Sequence, residues 1–363
     1  MIALATVLQT PRMQRGNSRR GQCQTGQDHP AWTSNPVIYG KGTKEEAWEV
    51  TVAIGRNDEA TVLAIDIGGG TTKLALVNQR GAIHNWRSFA TTAPSGAVFM
   101  ETVVAACRLL QVEGGASLAG VSAAVAGFVS PAGVLEYNAN LPWLEGTPIG
   151  MLLASGLNLP VIVDADSNAA CVAEYIFGEG CGASRFLCLT GGTGLGVGMI
   201  AEGKLLRIAH GCMGDAGHVI VSPAGPVCSC GGRGCAEALL STASLAERYA
   251  QAGDRNGSAE TCFRDLVEDG QLGKADAGTL LEEAGYWLGI AAASLANIFM
   301  PDRIAVAGGL SQAGDAFIAA TQSSFRAHCG RFPLARASLV RATTGEHATL
   351  LGAAASFFHP EIL

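Results

Sequence analysis

Apolar and polar positions fall into a regular pattern only from residue 61 onward. TVLAIDIGGGTTKLALVNQRGAI, from Thr61 to Ile83, reads as an apolar strand, a glycine turn, a second apolar strand and a polar turn. RFLCLTGGTGLGVGMIAEGKLL, from Arg185 to Leu206, repeats that order about 120 residues later. Two such hairpins predict two lobes of related topology facing each other across a cleft. Helical stretches follow each copy, for example Phe99 to Leu110 and Ser244 to Gln251, so the fold class is α/β. PVIVD, from Pro160 to Asp164, predicts a further buried strand running straight into a helix that continues through AACVAEYIFGEG. A last buried strand, Arg303 to Val306, leads into the turn Ala307-Gly308-Gly309-Leu310-Ser311.

The first 60 residues have a different character. Gln9 to Asn35 is rich in Gln, Arg, Gly and Pro with no apolar period, and is expected to be poorly structured. KEEAWEVT, from Lys44 to Thr51, predicts at most a short helix. The four arginines between Arg12 and Arg20 read as a solvated tail, or as sequence upstream of the true start, rather than a binding arm.

Composition narrows the class. The 363 residues include 48 glycines and are 48% hydrophobic, and the glycines show no three-residue period, so neither collagen nor disorder fits. A net charge of -7 argues against a protein that coats nucleic acid. Eleven cysteines, an odd number, without a basic flank or cleavage site beside the apolar N-terminus, favour a reduced cytoplasm over a disulfide framework. No uninterrupted apolar run reaches the roughly 18 residues of a membrane span.

The chemistry sits in the turns. In Asp66-Ile67-Gly68-Gly69-Gly70-Thr71-Thr72-Lys73, glycines let backbone N–H groups approach a phosphate, the threonines add hydroxyl donors, and Asp66 could order a metal-bound water. Thr190-Gly191-Gly192-Thr193-Gly194-Leu195-Gly196 has the same composition. At Gly308 and Gly309 a flat base could lie against the backbone. None of the three is a Walker A sequence. The most specific signal is His218, Cys228, Cys230 and Cys235: three thiolates and an imidazole suit tetrahedral Zn²⁺, with no position left for water, so the ion would be structural. Asp166, where strand passes into helix, reads either as a helix N-cap or as a general base projecting into a cleft, and Asp164 as structural.

Together, these turns, the Asp at a strand-to-helix junction and the His-Cys₃ loop resemble the ROK family of sugar kinases and sugar-responsive repressors. The resemblance runs from about Val62 to Phe358. It implies an actin-like, hexokinase-like ATPase fold: an N-terminal lobe over 61–165, a C-terminal lobe over 166–345 with the zinc loop at 218–235, and a C-terminal helix over 346–363 packing back on the first lobe. It implies that Asp66 to Lys73 and Thr190 to Gly196 hold the phosphates of ATP with Mg²⁺, that Gly308 and Gly309 receive the adenosine, and that Asp166 is the catalytic base. Gly127, Asn140, Asp215, His218 and Glu237 become sugar contacts, His218 doing so while it ligates zinc. A homodimer is compatible with the family; nucleic acid and membrane are not expected partners.

The departures from the family pattern bear on the acceptor. Ala165 stands where relatives have Asn, Asp215 where they have Glu, and Gly70 where they usually have Thr. The first two remove or shorten polar contacts to a ring hydroxyl, and such contacts carry much of a site's selectivity. An amino sugar or a C7 cyclitol of the valiolone type is therefore the expected acceptor. An ordinary glucokinase is the alternative, and a sugar-responsive repressor the second alternative, although the extension lacks the amphipathic helix pair of a DNA-binding head.

Overall fold

The computed structural model describes residues 60–363 apart from 115–117, 209–210 and 254–256. The readings of the N-terminal extension, with its four arginines and short helix, lie outside the described residues.

Two five-stranded sheets carry the chain. The first is built from β1 (Thr61–Ile67), β2 (Thr71–Asn78), β3 (Ile83–Ala90), β4 (Leu118–Val125) and β7 (Val161–Ala165). Its order is β3-β2-β1-β4-β7: an antiparallel meander extended by two parallel strands. β5 (Phe128–Val129) and β6 (Leu135–Tyr137) form a small separate hairpin after β4. The second sheet uses β8 (Arg185–Gly191), β9 (Leu195–Ala201), β10 (Lys204–Leu205), β11 (Arg303–Gly308) and β12 (Ser338–Arg341). Its order, β10-β9-β8-β11-β12, repeats the first, antiparallel meander and parallel pair included. The two glycine turns therefore occupy equivalent places, β1–β2 and β8–β9.

Strands buried on both faces read as unbroken apolar runs, which is why VLAIDI and FLCL show no alternation. α1 (Gly96–Gly114) and α2 (Ile149–Leu157) cover one face of the first sheet through Phe99, Val103, Leu110, Ile149 and Leu153. One face of the second sheet is covered by α4 (Ala236–Leu240), α5 (Thr242–Gly253), α6 (Ala259–Gln271), α7 (Ala275–Phe299) and α8 (Gly314–His328) around Leu240, Tyr249, Leu288 and Phe317. The short α9 (Arg331–Leu334) precedes β12. Among the described residues no helix is long and apolar enough to cross a membrane.

The remaining two helices exchange sheets. α3 (Asp166–Phe177) follows the last strand of the first sheet yet packs Cys171, Val172 and Ile176 against Phe186, Cys188 and Ile200 of the second. α10 (Ala348–Phe358) follows the last strand of the second sheet and packs Leu350, Ala353 and Phe357 against Val62, Ala64 and Ala124 of the first. The two helices cross where Gly352 meets Ala169. A Cβ placed on Gly352 would lie 1.7 Å from the Ala169 carbonyl oxygen, a backbone atom with no freedom to move aside. Gly352→Ala should therefore push the helices apart and destabilise the protein by roughly 1–3 kcal/mol. An unchanged thermal unfolding midpoint would show that the crossing tolerates an alanine.

Candidate active site and zinc loop

Two carboxylates lie at strand ends of the first sheet, Asp66 on β1 and Asp166 directly after β7. Asp66, the next-to-last residue of β1, is buried; its Oδ2 accepts a hydrogen bond from Thr349 Oγ1 at 2.8 Å and lies 3.9 Å from Lys73 Nζ, its partner across the β1–β2 ladder. Loss of water pushes its pKa up, while Thr349 and Lys73 pull it back. Asp166 is the first residue of α3 and half-buried. The N-cap of that helix is Ala165, with extended backbone and no capping side chain, so Asp166 does not fill the cap position that an aspartate at a strand-to-helix junction often takes. Its Oδ1 accepts from the Ser167 N–H at 2.7 Å. Burial first, and the nearby negative charge of Asp66 second, push its carboxyl up to about 7. A carboxyl with that pKa exchanges its proton near neutrality, as a general base must.

Asp164 is structural, as its sequence context indicates. Its two oxygens meet Arg207 Nη1 at 3.0 Å and Nη2 at 2.6 Å, and Asn168 Nδ2 donates to Oδ1 at 2.8 Å. Arg207 and Asn168 thus brace the strand end that presents Asp166. Arg207 does not stand out in the sequence, because its pairing with Asp164 spans 43 residues.

The two glycine turns approach each other. A Cβ on Gly69 would lie 3.6 Å from Asn140 Cβ and 3.7 Å from Thr193 Oγ1, so three segments singled out from the sequence converge at one point. Gly70 and Gly192 have nothing within 4 Å of an added Cβ and open on free space, and Thr71 and Thr193 beside them are exposed. Gly191 and Thr72 differ from expectation. An added Cβ on Gly191 would meet Leu310 Cγ at 2.2 Å, so this glycine serves strand packing. Thr72 is fully buried, with its hydroxyl engaged by Thr91 Oγ1 at 2.8 Å. In a strand, neighbours face opposite sides, so only one of the two threonine hydroxyls can reach the turn, and it is that of Thr71. Gly68 closes the first turn by donating its N–H to Thr71 O at 3.2 Å, and Thr190 lies half-buried with Oγ1 3.7 Å from Cys188 Sγ.

The third turn adjoins the second. Gly308 has φ +70, and an added Cβ would stand 2.3 Å from Gly191 O, so both the backbone region and the space require glycine. Beside it a Cβ on Gly309 would meet Thr242 Cγ2 at 3.2 Å and Phe263 Cε1 at 3.4 Å. The N–H and the hydroxyl of Thr242 both donate to Gly192 O at 2.9 Å, tying the second and third turns together. Phe263, half-buried beside a glycine shelf, offers a ring to a flat ligand; the sequence around it carries no signal of this.

Gly127 turns the chain after β4 with φ +106, and an added Cβ would meet Tyr137 O at 2.4 Å. The exposed Asn140 is set by buried Asn138, whose Oδ1 accepts the Asn140 N–H at 2.7 Å while its Nδ2 donates to Ala126 O at 2.6 Å. Asn138 is therefore the organiser of this loop, one more residue that the motif itself does not reveal.

The four metal candidates come together. One ligand atom from each of His218, Cys228, Cys230 and Cys235 lies within 4.8 Å of the others, compared with about 3.8 Å between sulfurs at zinc–thiolate distances in a tetrahedron. Cys228 and Cys235 are buried, and Cys230 is exposed. A Cβ on Gly232 would stand 3.3 Å from both the Cys230 and Cys235 sulfurs, so a bare glycine cradles the pair. The Gly232 N–H donates to Cys230 Sγ at 3.4 Å and holds that thiol below its ordinary range. This donor set fits Zn²⁺.

The two nitrogens of His218 face different ways. Nδ1 lies 3.4 Å from Cys228 Sγ, while Nε2 lies 3.7 Å from Glu237 Oε1 and 3.5 Å from Asp215 Oδ1. Glu237 also accepts the Leu195 N–H through Oε2 at 3.0 Å. The zinc loop, the histidine and the second glycine turn thus form one connected structure.

These features have counterparts in known proteins. The ROK family pattern matches residues 62–359. A glucokinase from Halalkalibacterium halodurans is 30% identical over 307 residues, covering 80% of this chain and 92% of that protein. An N-acetylmannosamine kinase from Escherichia coli is 33% identical over 227 residues, covering 62% of this chain and 70% of that protein. The crystal structure of a ROK family glucokinase from Streptomyces griseus, in complex with glucose and AMPPNP, is similar with a TM-score of 0.72 and 30% identity, covering 81% of this chain and 98% of that one.

Proposed function

The chain belongs to the ROK family and is a sugar kinase of that family, and we propose that it transfers the γ-phosphoryl group of ATP to the primary hydroxyl of an amino sugar or of a C7 cyclitol of the valiolone type. The observation that carries the mechanism is the carboxyl of Asp166, held at about 7 beside Asp66 at the mouth of two facing glycine turns.

In this reading the acceptor lies against Asn140, Asp215, His218 and Glu237, beside the Gly127 turn, with its CH₂OH toward Asp166. The carboxylate accepts the hydroxyl proton as the oxygen attacks phosphorus in line. Gly69 to Thr71 and Thr193 to Gly194 surround the phosphates with N–H groups and hydroxyls, and Gly308, Gly309, Thr242 and Phe263 receive the adenosine. Asp66 Oδ1 has no partner among the described residues, a fit for water ordered on Mg²⁺, which would neutralise phosphate charge when bound. We take the two sheets as lobes that close on the cleft and exclude water.

Two residues support the acceptor. Ala165, at the N-cap of α3, has no side-chain group to grip a ring hydroxyl, and the short carboxylate of Asp215 is 56% exposed and turned toward His218. A site that gives up contacts to one hydroxyl discriminates weakly in its favour. The named relatives favour a second reading, an ordinary glucokinase. ATP-dependent phosphorylation of glucose, mannose, N-acetylmannosamine, 3-amino-3-deoxyglucose and a valiolone-type cyclitol, with products identified by mass, separates the two. We expect a higher kcat/KM on the amino sugar or the cyclitol than on glucose. Equal or better use of glucose would refute the specialised acceptor, and inactivity on every compound, with sequence-specific DNA binding, would favour a repressor.

A further inference from the structure

Asp66 is held in place from the far end of the chain. Its Oδ2 receives the Thr349 hydroxyl at 2.8 Å and Lys73 Nζ at 3.9 Å, so the same oxygen takes both partners. Thr349 lies in the first turn of α10, the helix that leaves the second sheet and packs on the first. One turn further along, Gly352 meets the Ala169 carbonyl of α3, the helix that begins at Asp166. A single rigid helix thus touches Asp66 through its hydroxyl and lies in backbone contact with the helix that carries Asp166.

We propose that Thr349 is a positioning residue of the phosphotransfer site: its hydroxyl holds Oδ2 of Asp66, leaving Oδ1 without a partner among the described residues, and it links the orientation of this carboxylate to the α3–α10 crossing. The proposal deepens the kinase reading above and rests on it for its consequence in turnover. Its physical basis does not depend on that reading. A hydroxyl donating to a carboxylate stabilises the ionised form and fixes its rotamer, and without it a buried carboxylate has less to set against the loss of water. The charged groups facing Asp66 are Lys73 from β2 and Asp166 from α3; β4 offers Ala124, the turn offers glycines, and α10 offers only the hydroxyl.

Two variants of the full chain test it. Thr349→Val keeps the shape and removes the hydroxyl, and Thr349→Ser keeps the hydroxyl. We expect kcat to fall roughly 10-fold to 100-fold in Thr349→Val, in line with the usual worth of a hydrogen bond to a charged group, with acceptor KM little changed. Thr349→Ser should restore kcat. Carbon-13 NMR of the Asp66 carboxyl supplies a readout independent of turnover: its titration should move to higher pH in Thr349→Val and return in Thr349→Ser.

An Asp66 titration that is the same in all three proteins would overturn the proposal, and so would a normal kcat in Thr349→Val. Wild-type protein that phosphorylates no acceptor, while Asp66 still titrates as expected, would instead overturn the kinase reading and leave the positioning role standing.

Discussion

Asp166→Asn should reduce kcat by about 10² to 10⁴ while ATP binding persists, since general-base help has that worth and the glycine turns that hold the phosphates are untouched. The amide is nearly isosteric with the carboxyl and keeps the acceptor oxygen that meets the Ser167 N–H. What it loses is the capacity to take a proton. The pH profile makes the assignment sharper. With the free-enzyme carboxyl at about 7, kcat/KM of the wild type should rise with pH up to that value and level off above it, because only the ionised form accepts the proton. A stability effect of opposite sense should accompany it. The folded-state pKa lies above the ordinary 3.8, so the folded protein holds this proton more tightly than the unfolded chain does. Stability contributed by the group is present below 3.8 and is lost as pH rises toward 7. At pH 8 the asparagine variant, which carries no such cost, should unfold at a higher temperature than wild type. A variant with near-normal kcat would remove Asp166 from the mechanism. An unfolding midpoint at pH 8 equal to or below that of wild type would remove the environment assigned to it.

The second large effect is expected at the zinc loop. Cys235→Ser, or exhaustive chelation of the wild type, should release one zinc per chain and destabilise the protein by on the order of 4 kcal/mol, the scale reached when a structural metal is lost. Acceptor KM should rise at least about tenfold, because each good polar contact to a substrate is worth that much or more. Three connections carry the damage into the cleft. Cys235 is the N-cap of α4, pairs with Ile220 across a β-bridge and precedes Glu237 by two residues, while Glu237 holds the Leu195 N–H of the second glycine turn. His218, no longer fixed through Nδ1, loses the orientation that keeps Nε2 toward Glu237 and Asp215. ATP KM should rise less than acceptor KM, since of the three nucleotide turns it is the second that is joined to the loop, through Glu237 and the Leu195 N–H. Metal analysis that finds no zinc in the purified wild type would defeat this account, as would a serine variant with unchanged acceptor KM.

Much of this site was legible before any coordinates. The glycine turns were readable because a backbone that must come within contact distance of another chain segment admits only residues without a side chain, and Gly308, Gly69 and Gly232 stand at such approaches. The candidate metal cluster was readable because four soft or imidazole donors within eighteen residues have few other uses. The hairpin repeat was readable because strands buried on both faces show unbroken apolar runs. In each case the property is local: it depends on residue type and short spacing along the chain.

Other features depended on the fold. Thr349 lies 283 positions from Asp66, and Arg207 lies 43 from Asp164; no periodicity connects such pairs. Thr72 and Thr71 look equivalent in sequence, yet the strand's alternation turns one hydroxyl inward to Thr91. Of the two readings open for Asp166 from its segment alone, the folded protein gives the cap position to Ala165, while burial first and the charge of Asp66 second raise the Asp166 carboxyl's pKa. The sequence by itself determined the glycine turns, the hairpin repeat and the cluster of candidate metal ligands, because these follow from local backbone and donor chemistry. Only the tertiary structure decided which carboxylates face each other, how far water is excluded from them and which distant side chains hold them, because burial and charge–charge energies depend on distance in space rather than on separation along the chain.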